Sequence, residues 1–358
     1  MSDYNFYYPN RFRSKTNNFH NIFNEFKKIE NSFGELPKQW DVIEKHFGKE
    51  LSNEVKASKS TSFLEYKRFA KKGANIFHFK KDLLEMLENT DVTDITLNTI
   101  KFPFEYFYIS LRELNRPFSS SSSDDTIIDG VFIHFHDESA EEIIYPYWID
   151  FYVCGYSEKL KDIEFNRSTK DLMELASSLT FVSKDATIKD AIGIIHQIME
   201  DTLENQNLSK DAREREIDFQ LEEYKRLTDN LSLFINCILY ISLDKPDIEN
   251  KYLDGLPIHL KNKIDKANTK HRKEIAEREA KSFGYSKIRL VGNSYKQTKQ
   301  TSTNIADIAP HWRRGHWRNQ PYGEKLVEKK LIWIKPTMVN KEKGESQKGH
   351  IYKTEWKE

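Results

Sequence analysis

Cysteine is nearly absent from this chain. Cys154 and Cys237 are the only two in 358 residues, and each sits within an apolar run. That pattern predicts buried small hydrophobes and argues against a disulfide framework or a thiolate metal site. The opening Met-Ser-Asp-Tyr-Asn-Phe has no basic stretch leading into an apolar one, so no secretory signal is expected. Long hydrophobic runs are also missing. The longest, Leu231 to Leu243, falls short of a membrane span and is interrupted by Asn236. A cytoplasmic protein without membrane contact is the expectation. There is no Gly-rich phosphate loop, Gly-x-Ser-x-Gly elbow, His-Glu-x-x-His pair or Cys-x-x-Cys pair. No catalytic residue, metal, cofactor or small-molecule substrate is called for.

Net charge is absent too, since 56 basic residues balance 56 acidic ones, but the balance is not local. From His259 to Glu358 the net charge is +13, and residues 1–258 carry −13. Asymmetry of this kind suits a basic part that meets a polyanion or the acidic part of its own fold. The apolar fraction is a low 38%, yet 17 Tyr and 23 Phe supply enough large buried area for a folded core.

Three regions are predicted: an N-terminal aromatic arm and helix over 1–60, an acidic α+β body over 61–258, and a basic region over 259–358. In the first, Phe19, Phe23 and Phe26 keep helical spacing. Phe63 to Glu88 reads as one or two helices broken near Gly73. Thr96–Ile100, Phe104–Leu111, Gly130–His136 and Tyr145–Cys154 read as strands of a small antiparallel sheet. Ile188, Ile192, Ile195 and Met199 share a helix face entered near Asp185. A charged helix over Asp211–Arg226 precedes an apolar one capped by Asp229 or Asn230 and running to Leu243. Pro257 to Phe283 reads as one basic helix. Ile288–Val291 and Leu331–Ile334 are expected to pair. The fold class is α+β, a small antiparallel sheet flanked by helices, with a basic C-terminal helix and an irregular arm.

That arm is the most specific feature. His311-Trp312-Arg313-Arg314-Gly315 is followed at once by His316-Trp317-Arg318. A five-residue period puts the copies about 140° apart on a helix and on opposite faces of a strand. Neither element gathers both sets on one surface, so an irregular loop is expected, with Gly315 supplying backbone freedom. Two readings compete for His311, Trp312, Arg313, Arg314, Gly315, His316, Trp317 and Arg318. The indoles stack on unpaired bases while the guanidiniums meet phosphates, or the indoles plug the core while the arginines answer the acidic body. One Trp in each role is a third arrangement.

Pro310, His311, Arg313, Arg314, Gly315, His316 and Trp317, followed by Trp333, Pro336 and Asn340, resemble the C-terminal signature of a type V-A anti-CRISPR family of mobile elements. The apolar run from Leu231, closed by Asp244-Lys245-Pro246-Asp247-Ile248, is similar to an element of the same family. Thr90–Leu111 and Asp129-Gly130-Val131-Phe132 also show similarity. The resemblance implies a non-catalytic interaction protein that lowers production of a CRISPR nuclease by contacting the emerging chain at the ribosome, with loss of its message. On that reading a nascent peptide would lie along the aromatic sheet at Tyr106, Tyr108, Tyr147, Trp148 and Tyr152, and the basic region would face RNA.

Two other readings stay open: an RNA-binding protein without a peptide target, and an RNA-cleaving enzyme taking its acid and base from His134, His136, His311 or His316. On a strand, His134 and His136 share a face with Phe132, opposite Val131, Ile133 and Phe135. No third ligand stands at a diagnostic spacing, so a solvated sheet face is expected there and not a metal site.

Overall fold

The computed structural model describes residues 63–117, 127–137, 145–156, 171–204, 210–252, 256–282, 285, 287–295 and 311–339, with Tyr7, Pro9, Lys27, Lys28 and Asn31. The helix expected at Phe19–Phe26 lies outside the described residues. In chain order the elements are α1 (residues 63–71), β1 (Ile76–Phe79), α2 (Lys81–Glu88), β2 (Thr90–Asp91), β3 (Tyr106–Ser110), β4 (Ile127–Asp137), β5 (Tyr147–Tyr156) and β6 (Asp171–Phe181). Then come α3 (Ile188–Glu204), α4 (Lys210–Ile241), β7 (Ile248–Lys251), α5 (Ile258–Asp265), α6 (Lys270–Ser282), β8 (Ile288–Val291), β9 (His311–Arg313), β10 (Gly315–Tyr322), β11 (Glu328–Ile334) and β12 (Thr337–Val339).

The α+β class holds, with helices flanking a sheet, but that sheet is larger than expected and mixed. Its seven strands run in the order β6-β5-β4-β3-β1-β8-β7. The antiparallel meander β3-β4-β5-β6 is extended by β1, which lies parallel to both β3 and β8. Strand β1 falls inside the stretch read as helical, because its four residues Ile-Phe-His-Phe are too few to show a period against the helices on either side. Strand β8 pairs with β1 and β7, and β11 pairs with β10, so the expected β8–β11 pairing does not form. The Thr96–Ile100 stretch is also not a strand. It is a 3₁₀ turn at Leu97–Thr99, whose backbone donates to Lys184 and Ala186 beside α3.

One face of the sheet carries Phe77, Phe79, Phe107, Ile133, Ile149 and Phe151, packed against α2 and α4. The other carries Ile76, Tyr106, Tyr108, Phe132 and Cys154, packed with Phe69 of α1 and with Tyr7. Helix α4 is continuous over 32 residues, so Asp229 and Asn230 lie inside it and cap nothing. Asn230 accepts a hydrogen bond from Arg116 instead. The last third of α4, from Leu231 to Tyr240, is buried nearly all round, as befits a helix covered on two sides. Phe234 meets Phe151 of the main sheet, and Tyr240 meets Trp333 of a second sheet in the order β11-β10-β2.

Helix α3 begins with a reciprocal cap: the Thr187 amide donates to Asp190 Oδ2 (2.8 Å) and the Asp190 amide to Thr187 Oγ1 (3.1 Å). The basic stretch from Pro257 is a hairpin of two helices, not one. It turns at Lys266–Thr269, and Leu260, Ile264, Ala276 and Ala280 form its own small core with Tyr252, Leu256 and Tyr285. No helix among the described residues is long and apolar enough to cross a membrane.

Candidate functional site

The arm at 311–318 is regular. Arg314 separates two strands that join different sheets: β9 pairs antiparallel with β12, while β10 lies between β11 and β2. Changing sheets resolves the awkward period, since the two His-Trp-Arg sets need not share one surface. The side chains of His311 and Trp312 lie outside the described residues; their backbones pair with Val339 and Met338.

Trp317 is 8% exposed and closes the core between β10 and α4. Its indole N–H donates to Asn236 Oδ1 at 2.7 Å. The Asn236 amide donates in turn to Leu87 O (3.0 Å) in the last turn of α2 and to Thr90 O (2.9 Å) at the start of β2. Trp333, across the ladder from Trp317, stacks on it at 6.0 Å and donates to Thr90 Oγ1 at 3.1 Å. Gly315 is buried where a Cβ would stand 2.6 Å from Pro336 Cδ and 2.7 Å from Thr90 Oγ1. Close approach, not loop flexibility, therefore requires the glycine there. His316 and Arg318 point to the exposed face of β10, Arg313 is exposed on β9, and Lys329 and Lys330 extend the basic surface along β11. Arg314 is exposed as well; burial raises the Asp229 carboxyl above its usual value, and the charges of Arg116, Lys225 and Arg314 offset that only in part.

The aromatic strands divide differently from expectation. Tyr106 and Tyr108 are both 0% exposed beneath α1 and cannot line an open groove. Each phenol is spent inside the protein, Tyr106 donating to Glu65 and Tyr108 to Asp129 Oδ2 at 2.5 Å. Tyr147 lies on the opposite face, with Lys184 Nζ 4.9 Å from its ring centroid. Trp148 and Tyr152 remain half-exposed on the same face as His134 and His136.

Around these four residues the sheet face carries a polar cluster. His134 and His136 alternate inward along β4, and the antiparallel register sets Asp150 of β5 directly opposite His134. The rings of His134 and His136 are 3.7 Å apart between centroids, and Trp148 stacks on His136 at 4.4 Å and 12°. His136 Nε2 lies 2.9 Å from Asp150 Oδ2, and Ser178 of β6 donates to Asp150 Oδ1 at 2.5 Å. Burial pushes the Asp150 carboxyl up, but the bonds from His136 and Ser178 outweigh it and the net direction is down. Burial, joined by the charges of His136 and Arg68, depresses His134 to about 4. At the inner end, burial raises Glu65 despite its bonds from Tyr106 and Arg68, and burial raises Tyr152 to about 12.

The cluster thus brings together two of the singled-out histidines and two of the five singled-out aromatics. His316 stands in another sheet. Asp150 was missed, and with it the third group that the linear spacing lacked. The signal lay in the alternation Trp148, Asp150, Tyr152, which places the carboxylate on the histidine face once the β4–β5 register is fixed.

Fold and surfaces together define an α+β protein with a half-buried polar cluster on one face of its main sheet. A basic strand hairpin is anchored by Trp317 to the helix covering the other face. The chain belongs to the AcrVA2-like family, anti-CRISPR type V subtype A2, whose sequence model matches residues 77–341. Among solved structures, the crystal structure of AcrVA2 is similar, with 14% identity and a TM-score of 0.39 over 90% of this chain and 95% of that one. No curated protein matches the sequence.

Proposed function

We propose that this chain is a non-catalytic anti-CRISPR protein of a mobile element, and that it lowers the production of a type V CRISPR nuclease by binding the nuclease's emerging N-terminal peptide at the ribosome. The observation that carries the reading is the family match over residues 77–341. The cluster supports a peptide ligand. Trp148 and Tyr152 offer half-exposed aromatic anchors, and the acidic balance of residues 1–258 suits a peptide rich in lysine or arginine. Residues 1–258, with their excess of 13 acidic charges, disfavour nucleic acid on this side.

A ribosomal or message contact is assigned to the other surface. Arg313, Arg318, Lys329 and Lys330 are exposed on short strands held rigidly by the Trp317 anchor, and so offer a preorganised cationic surface for phosphates. This hairpin also favours the second reading, an RNA-binding protein without a peptide target.

The test is plasmid interference in cells carrying a type V-A system, with nuclease protein and its message quantified in parallel. Restored plasmid survival with reduced nuclease and message supports the proposal. Survival with nuclease levels unchanged would replace it by direct inhibition of the assembled nuclease. Enrichment of RNA without any nascent chain on co-purification from translating cells would favour the second reading.

A further inference from the structure

Nδ1 of His134 is buried and has no hydrogen-bond partner, although a buried imidazole nitrogen ordinarily finds one. The rings and carboxylate around it are not arranged to satisfy it: the His136 ring lies tilted at 48° against that of His134, and Asp150 is directed to His136 and Ser178. His134, His136 and Asp150 each present one ligand atom, and the three atoms lie within 4.8 Å of one another. First-row ions bind imidazole and carboxylate at about 2.0–2.2 Å, which sets ligand atoms roughly 3–3.5 Å apart. Small side-chain rotations on two rigid neighbouring strands close the difference.

We propose that His134, His136 and Asp150 form a binding site for a divalent transition-metal ion of the zinc type. The donor set decides the class of ion. Two imidazoles and one carboxylate suit zinc and its first-row neighbours, whereas calcium and magnesium take oxygen ligands. Outer support is already in place. Ser178 fixes Asp150 through the oxygen that His136 does not use. Glu105 Oε1 stands 4.0 Å from His134 Nε2, where an outer carboxylate orients a ligating imidazole. Three protein ligands leave a coordination position for water or for a ligand atom from a partner. The site would clasp β4 to β5 beside Trp148 and Tyr152, so the ion would also stiffen this part of the sheet. This inference goes beyond the anti-CRISPR reading and does not depend on it.

The experiment uses the full chain, stripped with a chelator and titrated with zinc against a chromophoric competitor, with cobalt as a spectroscopic substitute. One equivalent per chain is expected, together with a visible cobalt spectrum of nitrogen–oxygen ligation and a Tm that rises with added zinc. His136→Ala and the nearly isosteric Asp150→Asn should each weaken binding at least about tenfold and abolish the Tm rise. Asp150→Asn carries the test should His136→Ala fail to fold, as it retains the side-chain volume. His259→Ala, on α5, is the control and should bind as the parent does. Absence of stoichiometric zinc binding, or binding unchanged in Asp150→Asn, overturns the site.

Discussion

Trp317 and Asn236, 81 residues apart, are joined by an indole N–H donating to an amide oxygen at 2.7 Å in the centre of the core. Through Asn236 the bond reaches two backbone carbonyls near the end of α2, so one buried polar residue ties the basic hairpin, α4 and α2 together. Trp317→Phe keeps most of the apolar contact and orphans Asn236 Oδ1, which should cost about 1–3 kcal/mol. Trp317→Ala adds a cavity and should cost about 3–5 kcal/mol. Gly315→Ala should cost about 1–3 kcal/mol, like Trp317→Phe and less than Trp317→Ala, because backbone and a proline ring oppose its Cβ. Urea unfolding of the three variants checks the order, and a Trp317→Ala midpoint equal to the parent's would remove Trp317 from the core.

Arg313, Arg314 and Arg318 are all exposed, and Arg314 alone of the three acts on Asp229, as the weakest of its three cations. Replacing Arg313 and Arg318 by Ala should leave Tm nearly unchanged. If the hairpin meets RNA, affinity falls and the logarithmic salt slope flattens by about one unit per lost contact. Arg314→Ala should change Tm little as well, since Arg116 and Lys225 still face the exposed Asp229 carboxyl. An unchanged salt slope in the double variant would end the RNA assignment of this surface.

Strands β3, β4 and β5 were legible in the sequence because they are rich in β-branched and aromatic residues, whereas β6 was not expected. The sequence made Asn236 conspicuous as the one amide in an apolar run. Both non-local decisions escaped it. The two copies of the repeat part because β9 pairs with β12 while β10 pairs with β11 and with the edge offered by β2, from residues 90–91. Local pattern does not encode which edge a distant strand will join. The continuity of α4 was hidden for a related reason: its first half is charged and its last third is buried on all sides, so one helix reads as two. Tyr106 and Tyr108 looked like an exposed wall because aromatic alternation alone does not say that α1 lies over them.

Glu113 gathers His78 Nε2 (2.8 Å), Lys80 Nζ (2.8 Å) and the Lys81 amide (2.7 Å), fastening the end of β1 to the start of α2. Burial works against its ionisation, but the bonds from His78, Lys80 and Lys81 bring it down from 4.5 to about 2. A carboxyl depressed in the folded state binds fewer protons there than in the unfolded chain. Its contribution is therefore complete above about pH 4.5 and disappears as pH falls towards 2. Glu113→Gln should be less stable than the parent at neutral pH and should lose less stability between those limits. Urea midpoints measured across the interval test this, and parallel curves for the two proteins would rule out the linkage.

The cluster separates residues that recognise from residues that only support. Trp148 and Tyr152 are half-exposed, whereas Tyr106 is sealed under α1 with its phenol on Glu65. If a basic nascent peptide is the ligand, Trp148→Ala and Tyr152→Ala remove anchor area and should each weaken binding by about tenfold or more, the range for a central aromatic contact. Both lie on the sheet's exposed flank, so Tm should change little. Tyr106→Phe should do the reverse, lowering Tm by removing one of the hydrogen bonds to the buried Glu65 carboxyl and leaving only that from Arg68, with peptide affinity in place. Added salt should weaken the parent's binding, because the acidic balance of residues 1–258 supplies part of the attraction. Calorimetric titration of the full chain with N-terminal peptides of the co-purified nascent chains reads all four effects. Equal affinity for parent, Trp148→Ala and Tyr152→Ala would move peptide recognition away from this face of the sheet.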